Sequence, residues 1–189
     1  MNTPAHLVIA AAVFAKPNKT KVTWAALLGG LLPDLSLYLL TAWSTLIQDN
    51  TLKYVFDVQY FTSSWQQIFA VDNSFFVWGL IFIAGVLLKK HWLWALGGAG
   101  FLHLCFDFPL HHDDARQHFW PISDWIFQSP FSYWDSNHHG DLISLLEIGL
   151  CVALLIVLWR RFHSRFARGV IIVIALLQIT PGIIFNLLL

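Results

Sequence analysis

The sequence predicts an all-α, polytopic membrane helix bundle of about 5–6 helices, with two aromatic-rich outward loops, as one domain over residues 1–189. Three observations predict it. Hydrophobic residues make up 57% of the chain and charged residues 12%. That is about half the charge of an ordinary soluble domain, which is roughly 25%, and the same figures exclude disorder. Apolar runs bounded by charge recur along the chain. Nine of the eleven Lys and Arg residues fall in alternate connections between those runs, with no acid beside them.

In order, the runs predict helices at 5–15, 23–44, 74–88, 92–110, 142–159 and 169–188. A full crossing of a bilayer takes about 20 residues, within a range of roughly 17–25. The second, fourth, fifth and sixth runs meet that length. The third is short, and the first reads as a half-span or a tilted helix. The connections 45–73 and 111–141 are rich in Trp, Tyr, Phe, Ser and Asp, a composition suited to a membrane–water interface. Lys16, Lys19 and Lys21, then Lys89 and Lys90, then Arg160, Arg161, Arg165 and Arg168 occupy the intervening connections. By the positive-inside rule these loops are cytoplasmic and the two long loops face outward. The formal net charge is zero and singles out no acidic or basic partner. Cys105 and Cys151 sit within apolar runs without a CxxC, which supports neither a disulfide framework nor a cysteine zinc site. The cations follow the first apolar run rather than precede it, unlike a cleavable signal.

Ionisable groups inside apolar spans are costly, on the order of 2.5–3.5 kcal/mol for a charge at mid-helix, so each calls for a reason. The candidates are His6, Asp34, His103, Asp107 and Glu147, joined by His111, His112, Asp113, Asp114, Arg116, His118, His138 and His139 of the outer loop. His103 and Asp107 are spaced i, i+4 and share one helix face. Imidazole and carboxylate so placed can hold a divalent ion, zinc first, with manganese or iron as alternatives. The other reading of the pair is a hydrogen bond closing a polar spot between helices. Pro109 predicts a helix end near Asp107, after which His111, His112, Asp113, Asp114 and His118 fold over that end; the other reading of this stretch is a pH-sensing or solvated polar turn. Asp34 follows Pro33, which opens the helix locally, and Gly29 and Gly30 allow close approach of a neighbour. Glu147 lies under two turns into its helix, behind a possible N-cap at Asp141, and reads equally as a ligand or as a helix–helix hydrogen bond.

Three pieces of the chain resemble the YdjM-like, LexA-regulated inner-membrane proteins. They are TPAHLVIAAAVFA with His6, GGLLPDL with Asp34, and GAGFLHLCFDF followed by HFWP, with His103, Asp107 and Pro121. That family is described as predicted metal-dependent hydrolases and looks distantly similar to zinc-dependent phospholipase C and the fungal single-strand nucleases. The resemblance implies an inner-membrane location, and it implies metal ligation by His103 and Asp107 and, less directly, by Asp34. The chain departs from the family at FAVDNSFFVW, where Asn73 and Ser74 stand in place of an H-R … T-H-S segment.

Two functions are compatible with these features. The first is an integral-membrane, metal-dependent hydrolase of a phosphoester in a lipid-linked substrate, working at the outer face. Its metal ligands would be drawn from His6, Asp34, His103, Asp107, His111 and Glu147. Asp34 and His118 would carry catalytic roles, and Arg116 would orient an anionic group. The second is a non-enzymatic protein that binds or conducts metal ions or protons through the same residues. The expected partners are membrane lipids. Nucleic acid is not expected, since only Lys53 and Arg116 stand in the outer connections against seven or more acids.

Overall fold

A computed structural model describes residues 1–180. Its regular structure is helical, with no strand among the described residues. Eight α-helices follow one another: α1 (Thr3–Phe14), α2 (Thr20–Leu46), α3 (Leu52–Asp57), α4 (Ser63–Asp72), α5 (Phe75–Leu87), α6 (His91–Asp107), α7 (Gly140–Arg161) and α8 (Arg165–Leu177). Among the described residues, three apolar stretches are long enough to cross a membrane: α2, the α4–α5 stretch Ser63–Leu87, and α7.

A helix stands at each of the six predicted positions, but the described residues hold eight helices rather than 5–6. The fourth and sixth runs, expected to be long enough to cross, form helices of 17 and 13 residues; residues 181–188 of the last predicted range lie outside the described residues. The stretch 45–73, expected to be a connection, instead holds α3 and α4. Local chemistry explains both helices. The Thr51 hydroxyl caps α3 by accepting from the Tyr54 N–H. Phe69 and Ala70 of α4 are buried, with the Tyr60 and Trp65 rings packed on Phe69. Ser63, Ser64, Gln66 and Gln67 dilute the apolar pattern of α4 and hide it in the sequence. The second long connection stays irregular from Phe108 to a 3₁₀ turn at Ser136–His138.

α1 lies inside the bundle, against α2, α6, α7 and α8. It is apolar all round, the pattern of a helix enclosed by protein, and Ala5, His6, Val8, Ile9 and Ala10 are all buried. Glycines on α2 permit this packing. A Cβ at Gly29 would stand 2.2 Å from the Leu96 carbonyl oxygen of α6, and one at Gly30 would stand 2.9 Å from the Ala10 Cβ of α1. Close approach of three backbones therefore sets α1 and α6 against α2 just before Pro33 and Asp34.

The helices also sort the charges by end. Lys21 lies over the Trp92 ring at 4.6 Å, and Arg161 Nη1 donates to the Ala12 carbonyl at 2.6 Å. These contacts gather the end of α1, the starts of α2 and α6 and the end of α7 at one end of the bundle. The start of α1 and the end of α6 lie at the other, where the histidines and acids meet.

Candidate metal centre

Asp107 is the last residue of α6, close to the end that Pro109 predicts; Phe108 keeps helical dihedrals, so the stop comes from the N–H that Pro109 lacks rather than from a change of conformation before it. Its carboxylate is surrounded by nitrogen. Met1 donates from its α-amino group to Oδ1 at 2.7 Å, and His6 Nε2 lies 2.8 Å from the same oxygen. His103 Nε2 lies 3.0 Å from Oδ2, and His111 Nε2 lies 3.4 Å from Oδ1. The His6 and His103 rings stack with centroids 3.5 Å apart and planes within 10°. His6, His103 and Asp107 each offer a ligand atom within 4.8 Å of the others, and all three residues are buried.

The proton positions follow from the partners. His103 Nδ1 faces the Gly30 carbonyl at 2.9 Å, and a carbonyl only accepts, so Nδ1 carries hydrogen. His111 Nδ1 faces Asp114 Oδ2 at 2.8 Å and carries hydrogen for the same reason. In the neutral rings Nε2 is then a lone pair. Both Nε2 atoms are buried without a hydrogen-bond partner, yet both stand next to the Asp107 carboxylate. In a buried site the carboxylate is satisfied by a cation at those atoms: a divalent ion on the neutral rings, or a proton on Nε2 in the charged ring that Asp114 and Asp107 favour at His111. The Nδ1–H bonds to a carbonyl and a carboxylate are the outer contacts that orient metal-binding imidazoles. The donor set therefore fits a divalent ion of the kind bound by mixed nitrogen and oxygen ligands.

Asp34 borders this group. Its Oδ1 is 3.6 Å from His103 Nε2 and 3.6 Å from Arg116 Nη1. Its Oδ2 accepts from the Thr3 hydroxyl at 2.5 Å, which in turn accepts from the Tyr38 hydroxyl at 2.7 Å. Arg116 is buried, donating from Nη1 to Asn73 Oδ1 at 3.0 Å and from Nε to the Tyr60 hydroxyl at 3.3 Å, with its guanidinium over the Phe69 ring. Burial alone would lower its pKa, but Tyr60 and Asp34 more than compensate and hold it charged. Burial opposes charge on His111 too, and the carboxylates of Asp114 and Asp107 outweigh it, so its pKa is raised.

Two of the predicted site residues stand apart from Asp107. Glu147 serves the fold: Oε2 accepts from the Asn2 backbone N–H at 3.2 Å, and Oε1 accepts from Asn2 Nδ2 at 2.8 Å and Gln178 Nε2 at 2.9 Å. It thus ties the start of α1, and with it the Met1 amine, to α7 and the end of α8. His118 donates from Nδ1 to the Asn73 carbonyl at 2.9 Å and packs between Phe75 and Phe108. Burial in that aromatic setting pushes its pKa down to about 4, so it is neutral at pH 7. Asp141 lies in the first turn of α7 and accepts from the Ser136 hydroxyl, while His139 holds the cap position.

Sequence reasoning missed four contributors: the Met1 amine, Thr3, Tyr60 and Asn73. Asn73 is the brace of the site. Fully buried between α4 and α5, it donates to the Pro33 and Phe69 carbonyls while holding Arg116 and His118. Ser74 caps α5 and donates to the Trp120 carbonyl. Asn73 and Ser74 therefore have bracing and capping tasks.

Two cavities open beside the cluster. One, of about 400 Å³, is lined by Leu7, Leu31, Asp34, Leu37, Tyr38 and His111, among others. The second, of about 520 Å³, is lined by Lys53, Asp57, Tyr60, Asp113, Asp114 and Trp134, among others. They share Leu37, Phe56, Arg116 and Tyr133. Fold and site together define an all-helical protein with apolar helices of membrane-spanning length and a buried His/Asp group able to hold a metal ion. Comparison with protein-family models, with curated proteins and with solved structures gives no match.

Proposed function

We propose that this chain is a multi-pass inner-membrane, metal-dependent hydrolase of the YdjM-like kind, acting on a phosphoester in a lipid-linked substrate at the outer face. The observation that carries the reading is the buried group His6, His103 and Asp107, each with a ligand atom within 4.8 Å of the others, with His111 Nε2 turned on the same carboxylate. His103, Asp107, His6 and His111 would hold the ion, which supplies Lewis acidity and acidifies water when bound. Zinc suits the donor set best, with manganese or iron as alternatives.

The protein's own groups then divide the work. Arg116, held charged and fixed by Asn73 and Tyr60, offers an anion a positioned guanidinium on the wall between the two cavities. The Leu-lined cavity suits an apolar tail, and the cavity with Lys53, Asp57 and Asp113 suits a polar head. A phosphoester joining tail to head would sit at Arg116. Asp34, beside both Arg116 and His103, is placed to accept a proton from an attacking water. The apolar residues left exposed around the bundle, among them Leu39, Trp43, Leu80, Leu87, Leu145 and Ile172, suit a lipid surround.

The test compares a lipid phosphoester, its short-chain soluble analogue and single-stranded DNA, in liposomes with added zinc or manganese. Preferential turnover of the lipid, abolished by chelation and restored by metal, is expected. Preferential turnover of DNA, or equal turnover of lipid and soluble analogue, overturns the substrate class. Tight metal binding with no turnover of any of them favours the non-enzymatic reading. Sidedness is read from single cysteines at Asp124 and His163, both exposed, with Cys105 and Cys151 replaced. Labelling of the first from outside and the second from inside is expected, and labelling of both from one face contradicts the orientation.

A further inference from the structure

A second histidine pair lies in the outer loop, separate from the Asp107 cluster. The rings of His112 and His138 stack with centroids 3.6 Å apart and an interplanar angle of 22°. Each has its Nδ1 committed. His112 Nδ1 faces the Ser129 carbonyl at 2.6 Å, and His138 Nδ1 faces Asp135 Oδ2 at 2.6 Å. Both partners only accept, so in the neutral rings both Nδ1 atoms carry hydrogen and both Nε2 atoms are lone pairs.

The groups that orient these rings are themselves fixed. The other Asp135 oxygen accepts from the Asn137 N–H at 2.9 Å, and the Asp135 N–H donates to the Ser132 hydroxyl at 3.2 Å. The Ser129 N–H donates to the His111 carbonyl, and the Ser132 N–H donates to the His138 carbonyl. The backbone around His112 and His138 is thus pinned to the same short segment, 129–132. An imidazole whose Nδ1–H is held by a carboxylate or carbonyl, leaving Nε2 for an ion, is the usual arrangement of a metal-ligating histidine.

We infer that His112 and His138 form a second, peripheral metal site, binding a divalent ion that prefers imidazole, such as Zn²⁺ or Cu²⁺, through their Nε2 atoms, the stacked rings splaying so that both lone pairs meet the ion. Both rings are partly exposed, so solvent reaches the site and supplies the remaining ligands. The ion would join the two ends of the stretch 113–137, which carries Arg116 and Trp134 of the second cavity's wall. It would thereby staple the outer cover of the hydrolytic site without sharing a ligand with it.

The experiment titrates the full chain in detergent with Zn²⁺, counts bound equivalents, and records the Cu²⁺ electron paramagnetic resonance spectrum. The chain carrying His112→Ala and His138→Ala should bind one equivalent fewer and lose the nitrogen hyperfine pattern of an imidazole pair. Asp135→Asn keeps both ligands but loses the orienting carboxylate, and should weaken that equivalent about 10- to 100-fold. His103→Ala should leave it in place, which separates this site from the buried one. Zn²⁺ should slow amide exchange across 113–137 in the wild type but not in the double variant. An unchanged stoichiometry and Cu²⁺ spectrum in the double variant, or an unchanged affinity in Asp135→Asn, overturns the inference.

Discussion

At the end of the bundle where α1 begins and α6 stops, His6, His103 and Asp107 are each about 2% exposed, and Asp107 is met both by His103 of its own helix and by Met1 and His6 from the start of α1. At the opposite end, Lys16, Lys19, Lys21, Lys89, Lys90, Arg160 and Arg165 are exposed, and Arg161 and Arg168 are only partly covered. Contacts there are with carbonyls and ring faces, such as Arg161 with the Ala12 carbonyl and Arg168 over Trp159. Charge at one end is solvated and needs no exact neighbour. At the other it is buried, and it persists only through tertiary neighbours that satisfy it. Substitutions at the buried end should therefore cost far more than those at exposed charges.

The packing that builds the buried end gives the largest expected effect. Gly29→Val drives a side chain into the Leu96 carbonyl, and about 3 kcal/mol of stability should be lost. Thermal or denaturant unfolding in detergent checks it, and a wild-type midpoint would mean that α2 and α6 pack differently. Next is Asn73→Ala, which strips a buried brace from Arg116 and His118 and should cost about 2 kcal/mol. It should also weaken binding of an anionic substrate more than it weakens metal binding. Equal losses in both would place Asn73 in general packing rather than at Arg116.

His118 supplies a smaller, pH-dependent effect. Its folded pKa of about 4 lies below the ordinary value of 6.5, so the unfolded chain binds the proton more readily. Its contribution to stability is whole above pH 6.5 and is lost as pH falls toward 4. Between pH 7.5 and 5.5 the loss should be about 1 kcal/mol, and His118→Gln should flatten that part of the stability profile. A profile unchanged by the substitution would contradict the burial of this ring. The smallest effect belongs to the exposed pair Lys53–Asp57, joined at 2.8 Å with both side chains more than half exposed. Lys53→Ala should change stability by less than about 0.5 kcal/mol, as unfolding midpoints will show.

What could be read in the sequence follows from what is encoded locally. The His103–Asp107 face, the helix end at Pro109 and the glycines before Asp34 are all features of spacing within one helix, and each is present. The grouping of the basic connections at one end follows from their alternation along the chain. Partners from other helices leave no such mark. Glu147 reads the same from sequence whether it faces a metal or Asn2, and the structure turns it to Asn2 and Gln178. Nothing near Asn73 signals that it clamps an arginine from forty-three residues along the chain. The Met1 amine belongs to no side-chain motif. His118 falls in a histidine-rich stretch, yet the aromatic rings Phe75 and Phe108 claim it.

The central claim is that the nitrogens around Asp107 hold a divalent ion, and metal analysis of the purified protein with its ligand variants tests it most directly. The wild type should retain at least one equivalent of zinc, manganese or iron in the buried site. His103→Ala and Asp107→Asn should each lose it while remaining folded by circular dichroism, and Glu147→Gln should keep it. Metal content unchanged in the first two variants, or a wild type that binds no ion at stoichiometric concentration, would contradict the account.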